Sequence, residues 1–254
     1  MENSMLMPMA RATVYLLEAF VLLVVAKWAY TGLYRRVSLR EELFDKGNLA
    51  LAVSTSGYLF GIVIALGGVL SGPSAGWQAD LQAIALFGVM TIAMMLIASW
   101  LCEKILLPRF NNTKEIVEDQ NLGTAFVEAG VHIANGLILL AIQQGAGPWW
   151  VGVVFWGLAQ AVLLIVGLLY ERATPHSIHD ELERDNAAVG LAFAGVLVGM
   201  GNIVSLAVAG DFLGWQDSLT TFGADAAFGL VILLIIKRLT DVLLAPGVSL
   251  AAQQ

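Results

Sequence analysis

The sequence predicts an all-α membrane protein with seven transmembrane helices: one leading helix, then three parallel two-helix hairpin repeats, N-terminus outside and C-terminus inside. Three observations predict it. The 254 residues are 58% hydrophobic and 13% charged, with a mean hydropathy of +0.78, whereas soluble chains carry about 25% charged residues. Seven apolar runs reach the roughly 20 residues that cross hydrocarbon as a helix. One pattern recurs three times at fixed spacing, the mark of a repeat architecture.

The first run, Ala12–Tyr34, lies outside the repeat. Arg11 is the one basic residue ahead of it, and Lys27, Arg35 and Arg36 come late in the run or after it with no small-residue cleavage site. It therefore reads as a retained helix, not a cleaved signal. The remaining runs pair as Leu49–Leu70 with Leu81–Leu107, Leu122–Ile142 with Trp149–Tyr170, and Ala187–Ala209 with Leu219–Leu244. The units run 1–39 for the leading helix, then 40–114, 115–178 and 179–254 for the hairpins.

Each hairpin opens on the same signature, with Asn48, Asn121 and Asn186 as origins. An acid precedes each Asn by three residues (Asp45, Glu118, Glu183), and another precedes it by six (Glu42, Glu115, Asp180). An apolar residue precedes it by four (Phe44, Val117, Leu182). Glycines follow nine residues on (Gly57, Gly130, Gly195) and twenty-four on (Gly72, Gly145, Gly210), and a tryptophan twenty-nine on (Trp77, Trp150, Trp215). Asparagine is a good helix N-cap, and acids suit the positive end of the helix dipole. The first glycine sits in a small-xxx-small pattern, Gly57/Gly61, Gly130/Ala134 and Gly195/Gly199, which lets membrane helices approach closely. The tryptophans fit an interfacial belt. Ile62 and Val69, off that stripe, read as lipid-facing or loosely packed. Acid and proline mark the exits at Glu103/Pro108, Glu171/Pro175 and Asp241/Pro246.

The connections Ser71–Asp80, Gln143–Pro148 and Gly210–Ser218 contain no Lys or Arg, and eleven of the thirteen basic residues fall on the opposite side. The positive-inside rule makes that side the cytoplasm, so a bacterial inner membrane and its lipid bilayer are the expected setting. The net charge of -7 and pI of about 4.9 argue against a nucleic-acid partner. A homo-oligomer and a soluble cytoplasmic partner stay open. A single cysteine, Cys102, forms no internal disulfide. No phosphate loop, H-E-x-x-H zinc motif or dinucleotide fingerprint occurs. Gly72-Pro73-Ser74-Ala75-Gly76 fits G-x-S-x-G but lies in a helix–helix loop, without the strand-to-helix elbow a nucleophile needs. His176, His179 and Asp180 read as a solvated linker more readily than as a metal clip. No cofactor, metal or enzymatic activity is expected.

The signature Φ-[DE]-x2-N-x8-G, quoted as FDKGNLALAVSTSGYLFG, VEDQNLGTAFVEAGVHIA and LERDNAAVGLAFAGVLVG, resembles the YjfL-like bacterial inner-membrane proteins, a family built on a hairpin domain of unknown function. The resemblance spans about Arg40 to Leu250. It implies an inner-membrane location and a hairpin fold, and it carries no catalytic residues across.

Charge inside hydrocarbon costs roughly 2.5–3.5 kcal/mol on insertion scales, so an intramembrane ionisable residue is a functional candidate. Seven residues after the Asn the copies read Thr55, Glu128 and Phe193, and eleven after it Leu59, His132 and Leu197. The middle copy alone is ionisable at both. Asn121, Thr124, Glu128, His132 and Asn135 fall on one helical stripe opposite the Gly130/Ala134 face. Glu18 and Asp225 are two further acids, both expected to be buried by their depth. The stripe could carry a proton or small cation through or into the bundle. Two blander readings stand beside it: an ordering hydrogen-bond network, and a non-catalytic membrane subunit whose acidic linkers dock a cytoplasmic partner.

Overall fold

A computed structural model describes residues 2–34, 38–72, 74–109, 111, 114–174 and 177–243. Eight helices account for most of them: α1 (Glu2–Thr31), α2 (Leu49–Ser71), α3 (Trp77–Leu101), α4 (Leu122–Gln144), α5 (Trp149–Ala173), the short α6 (Ile178–Glu183), α7 (Ala187–Ala207) and α8 (Trp215–Leu243). All but α6 are long and apolar enough to span a bilayer, and the described residues contain no strand. Arg35, Arg36, Pro73, Asn112, Pro175, His176 and Pro246 lie outside the described residues.

The three asparagines explain where α2, α4 and α7 begin. Each side-chain oxygen caps its helix, accepting from Leu51 N at 2.9 Å, Thr124 N at 2.9 Å and Val189 N at 3.4 Å. The residue before each cap turns the chain through a left-handed conformation, at Gly47 (φ 66°), Gln120 (φ 52°) and Asp185 (φ 57°). Ahead of that corner stands a single helical turn, Glu41–Asp45, Lys114–Glu118 or α6. These turns lie in stretches that the sequence reads only as linkers.

Packing follows the small residues. α2, α4 and α7 run side by side in the same direction with α4 in the middle. A Cβ on Gly57 would fall 2.5 Å from Ala129 Cα, and one on Gly130 would fall 2.8 Å from Ala194 Cα. One turn on, Gly136 presses on the Gly61 backbone and Gly201 on that of Ala134. The seam is the same twice over: origin plus nine on plus eight, then plus thirteen on plus fifteen. At the Asn end it continues in polar form, since Asn48 Nδ2 donates to Ile116 O and Val117 O at 3.0 and 3.2 Å, and Asn121 Nδ2 to Leu182 O at 2.6 Å.

The structure corrects two expectations along this row, one for the Gly195/Gly199 pair and one for Ile62. Gly195 and Gly199, read as a close-approach pair, have nothing within 4 Å of a Cβ, since among the described residues no helix closes over that face of α7. Asn186 Nδ2 donates to Glu181 Oε2 at 2.8 Å, within its own turn. At the other edge Phe44 is 81% exposed, whereas Val117 and Leu182 are buried against a preceding copy. Ile62, expected near lipid, is fully buried, since the second helices and α1 wrap the row.

The other spanning helices complete the bundle. α3 packs on α1, α2 and α4; α5 on α4 and α7; α8 on α7. α4 is thereby the most enclosed spanning helix, and α1 and α8 are the most open to lipid.

Candidate functional site

Four helices bring their polar groups together inside the bundle around α4. Glu128 and His132 sit one turn apart on it, 2% and 0% exposed, with Glu128 Oε1 3.8 Å from His132 Nε2. From α2, Ser54 Oγ donates to Glu128 Oε2 at 2.6 Å. From α1, the Tyr30 hydroxyl lies 2.5 Å from Ser54 Oγ. A hydroxyl has one proton, and Ser54 spends its own on the carboxylate, so Tyr30 donates to Ser54. The result is a directed chain, Tyr30 to Ser54 to Glu128. From α3, Ser99 Oγ lies 3.2 Å from His132 Nε2 and 3.3 Å from Met95 O. Ser99 donates to that carbonyl, which leaves its oxygen to accept from the imidazole N–H.

Aromatic rings wall this cluster. Tyr30 and Tyr58 stack at 4.4 Å, and both meet His132 edge-on, at 5.9 and 5.1 Å. Among the described residues, Tyr58 OH, Thr55 Oγ1, Thr124 Oγ1 and His132 Nδ1 are buried polar atoms of α2 and α4 with no hydrogen-bond partner. Buried polar groups are satisfied in more than about nine cases in ten, so these four atoms stand out from the rest of the interior.

The remaining candidates lie elsewhere. Asn135 turns to α5, where its Oδ1 accepts from Trp156 Nε1 at 3.0 Å and Gln160 Nε2 at 2.6 Å, while its Nδ2 donates to Val131 O. It ties two helices together and is spent in doing so. Glu18 is half-buried on α1, twelve residues from Tyr30 and so roughly 18 Å along the helix. Asp225, expected to be buried, is exposed on the open face of α8; ten residues past Trp215, it lies deep along the span but outside the bundle. At the Asn end, Asp45, Glu118 and Glu183 are exposed. Glu42 is buried and bonds Lys46 at 2.6 Å, and that hydrogen bond holds the Lys46 ammonium above its ordinary range. Burial, then the neighbouring Asp119, raises the Glu115 carboxyl. Asp180 pairs with Arg109 at 3.1 Å and His179 with Glu171 at 3.1 Å. Ser74 Oγ donates to Asp80 at 2.5 Å in its loop.

Tyr30, Ser54, Tyr58 and Ser99 were missed by sequence reasoning, which followed ionisable groups alone. The signal existed for two of them. Six residues after the Asn the copies read Ser54, Val127 and Ala192, and ten after it Tyr58, Val131 and Val196. Copy-to-copy comparison of hydroxyls would have found both. Tyr30 stands outside the repeat and offered no such contrast.

Comparison with known proteins adds kinship. The sequence profile described as Domain of Unknown Function (DUF350) matches residues 4–142 and again 146–253. The chain is also similar to a UPF0719 transmembrane protein of Aquifex aeolicus (strain VF5), 21% identical over 203 residues that cover 78% of this chain and 73% of that one. No solved structure matches it. Seven spanning helices and this kinship make the chain a multi-pass transmembrane protein in a lipid bilayer.

Proposed function

The chain belongs to the DUF350 family, and from that premise we propose that it moves protons or small cations through or into its helical bundle, with Glu128 and His132 as the exchanging groups. The observation that carries this reading is the hydrogen-bonded chain Tyr30–Ser54–Glu128 ending beside His132. Each member is a group that can both hold and pass a proton, and the buried Tyr58 ring packs on Tyr30 and His132 beside it. A carboxyl group at this depth is tolerated when neutral, paired or wet, and each of those states responds to pH or to a bound ion. The proposal includes the YjfL-like kinship, a bacterial cytoplasmic membrane, and the Asn end and C-terminus facing the cytoplasm, as the Lys/Arg asymmetry suggests. It assigns no enzymatic reaction.

Glu128→Gln and His132→Gln nearly preserve volume and remove titration. In proteoliposomes loaded with a pH-sensitive dye, the wild type is expected to give an ion-gradient-dependent pH change that either variant abolishes. No proton movement by the wild type across a panel of monovalent and divalent cations would overturn the proposal. A second reading, a subunit docking a soluble partner, draws on the exposed Asp45, Glu118 and Glu183 at one end. It takes first place if the wild type is inert and both variants melt well below it.

A further inference from the structure

At the Trp end, away from the Glu128 cluster, a cavity of about 240 Å³ opens between the α4–α5 and α7–α8 connections. Its rim is built rather than loose. Phe212 N donates to Ala146 O at 2.9 Å, Ala146 N donates to Asp211 Oδ1 at 2.8 Å, and Gly145 lies directly against the Gly210 carbonyl. Phe212 and Phe155 in turn pack on the Trp215 ring.

The polar lining is one-sided. Gln143 Nε2 is spent on Thr91 Oγ1 at 2.6 Å, which leaves Gln143 Oε1 buried and without a partner. Asp211 and Asp217 add two carboxylates, and among the described residues no Lys, Arg or His lines the cavity. The N-termini of α5 and α8 also face this region, each worth roughly half a positive charge. Two half-charges set against two carboxylates leave a net of about one negative charge, so an anion is disfavoured. The walls, with Phe87, Phe155 and Phe212, are aromatic, and an aromatic face attracts an organic cation. A bare divalent ion suits the site poorly, since calcium takes 6–8 oxygen ligands. The volume falls below the roughly 300 Å³ at which drug-sized pockets begin, so the ligand is small.

We propose that this cavity binds a small organic cation, its ammonium group held by Asp217 and the Gln143 amide oxygen and its apolar body resting on Phe87, Phe155 and Phe212. The site is independent of the Glu128 exchange chain.

The full chain in lipid nanodiscs is titrated with benzylamine, with benzyl alcohol as the uncharged counterpart and benzoate as the anion, while tryptophan fluorescence reports binding. Benzylamine is expected to saturate with an affinity about tenfold or more above that of the alcohol, a gap of about 1.4 kcal/mol, and benzoate is expected to show no saturation. Asp217→Asn, an exposed position that can change without disturbing the fold, and Gln143→Leu are each expected to erase the preference for the amine. Glu128→Gln is expected to leave it intact, so failure of the exchange proposal would not touch this one. Equal binding of amine and alcohol, no saturation by the amine, or an unchanged Asp217→Asn profile would each overturn the assignment.

Discussion

Asn48, Asn121 and Asn186 are the same residue at the same offset, yet they do different work. All three cap a helix; Asn48 and Asn121 also reach across to the next helical turn, and Asn186 Nδ2 donates to Glu181 Oε2. Losing a cap costs about 1 kcal/mol, and orphaning a buried partner costs about 1–3 kcal/mol more. Asn48→Ala and Asn121→Ala are therefore each expected to lower stability in detergent by about 2–4 kcal/mol. Losses no larger than about 1 kcal/mol, measured by thermal melting, would contradict the cross-copy bonds. Glu115 gives a pH test beside Asn121. Burial raises its folded-state pKa, with Asp119 and Glu183 adding and Asn121 and Lys114 opposing. The folded chain then holds this proton more tightly than the unfolded chain does. Stability from this group is greatest below the ordinary value of 4.5 and is lost as pH rises through the raised one. Melting curves of wild type and Glu115→Gln should converge near pH 4 and separate towards pH 7, with the variant the more stable. Glu128 and His132 were legible in the sequence because they broke a threefold pattern. Asp225, which stands where the other copies have Phe87 and Gln160, broke it as well and misled, because depth along a helix says nothing about which way a side chain faces.

At the scale of the helix, the small residues decide which elements touch. Gly57 and Gly130 are closed over by Ala129 and Ala194, whereas Gly195 faces open space. A large side chain forced into a packed contact costs typically about 1–3 kcal/mol. Gly57→Leu and Gly130→Leu are expected to lower the melting temperature of the purified protein, and Gly195→Leu to leave it within error. If all three melt alike, the seam between the rows is not the close contact described here. Seven helices, their caps and the two working seams follow from composition and spacing, since each reflects local chemistry repeated in the chain. The idle face of α7 could not be read that way. Gly195 stands at the same offset as Gly57 and Gly130, and what differs is that among the described residues no neighbour lies over it.

For the whole molecule the testable quantity is which end faces which compartment. Cys102 is buried on α3's continuation, so Cys102→Ala gives a background free of reactive thiol. Single cysteines at Gln144 and Asp217 are expected to react with impermeant maleimide in intact cells, and cysteines at Asp119 and Glu183 are not. The reverse pattern would invert the assembly and turn the cavity at the Trp end towards the cytoplasm. Within the molecule, α2 and α7 each have one flank given to α4, while α4 has both flanks covered. The ionisable pair sits on that helix and on neither neighbour. A row of two has only ends; three is the smallest number of copies that yields a middle.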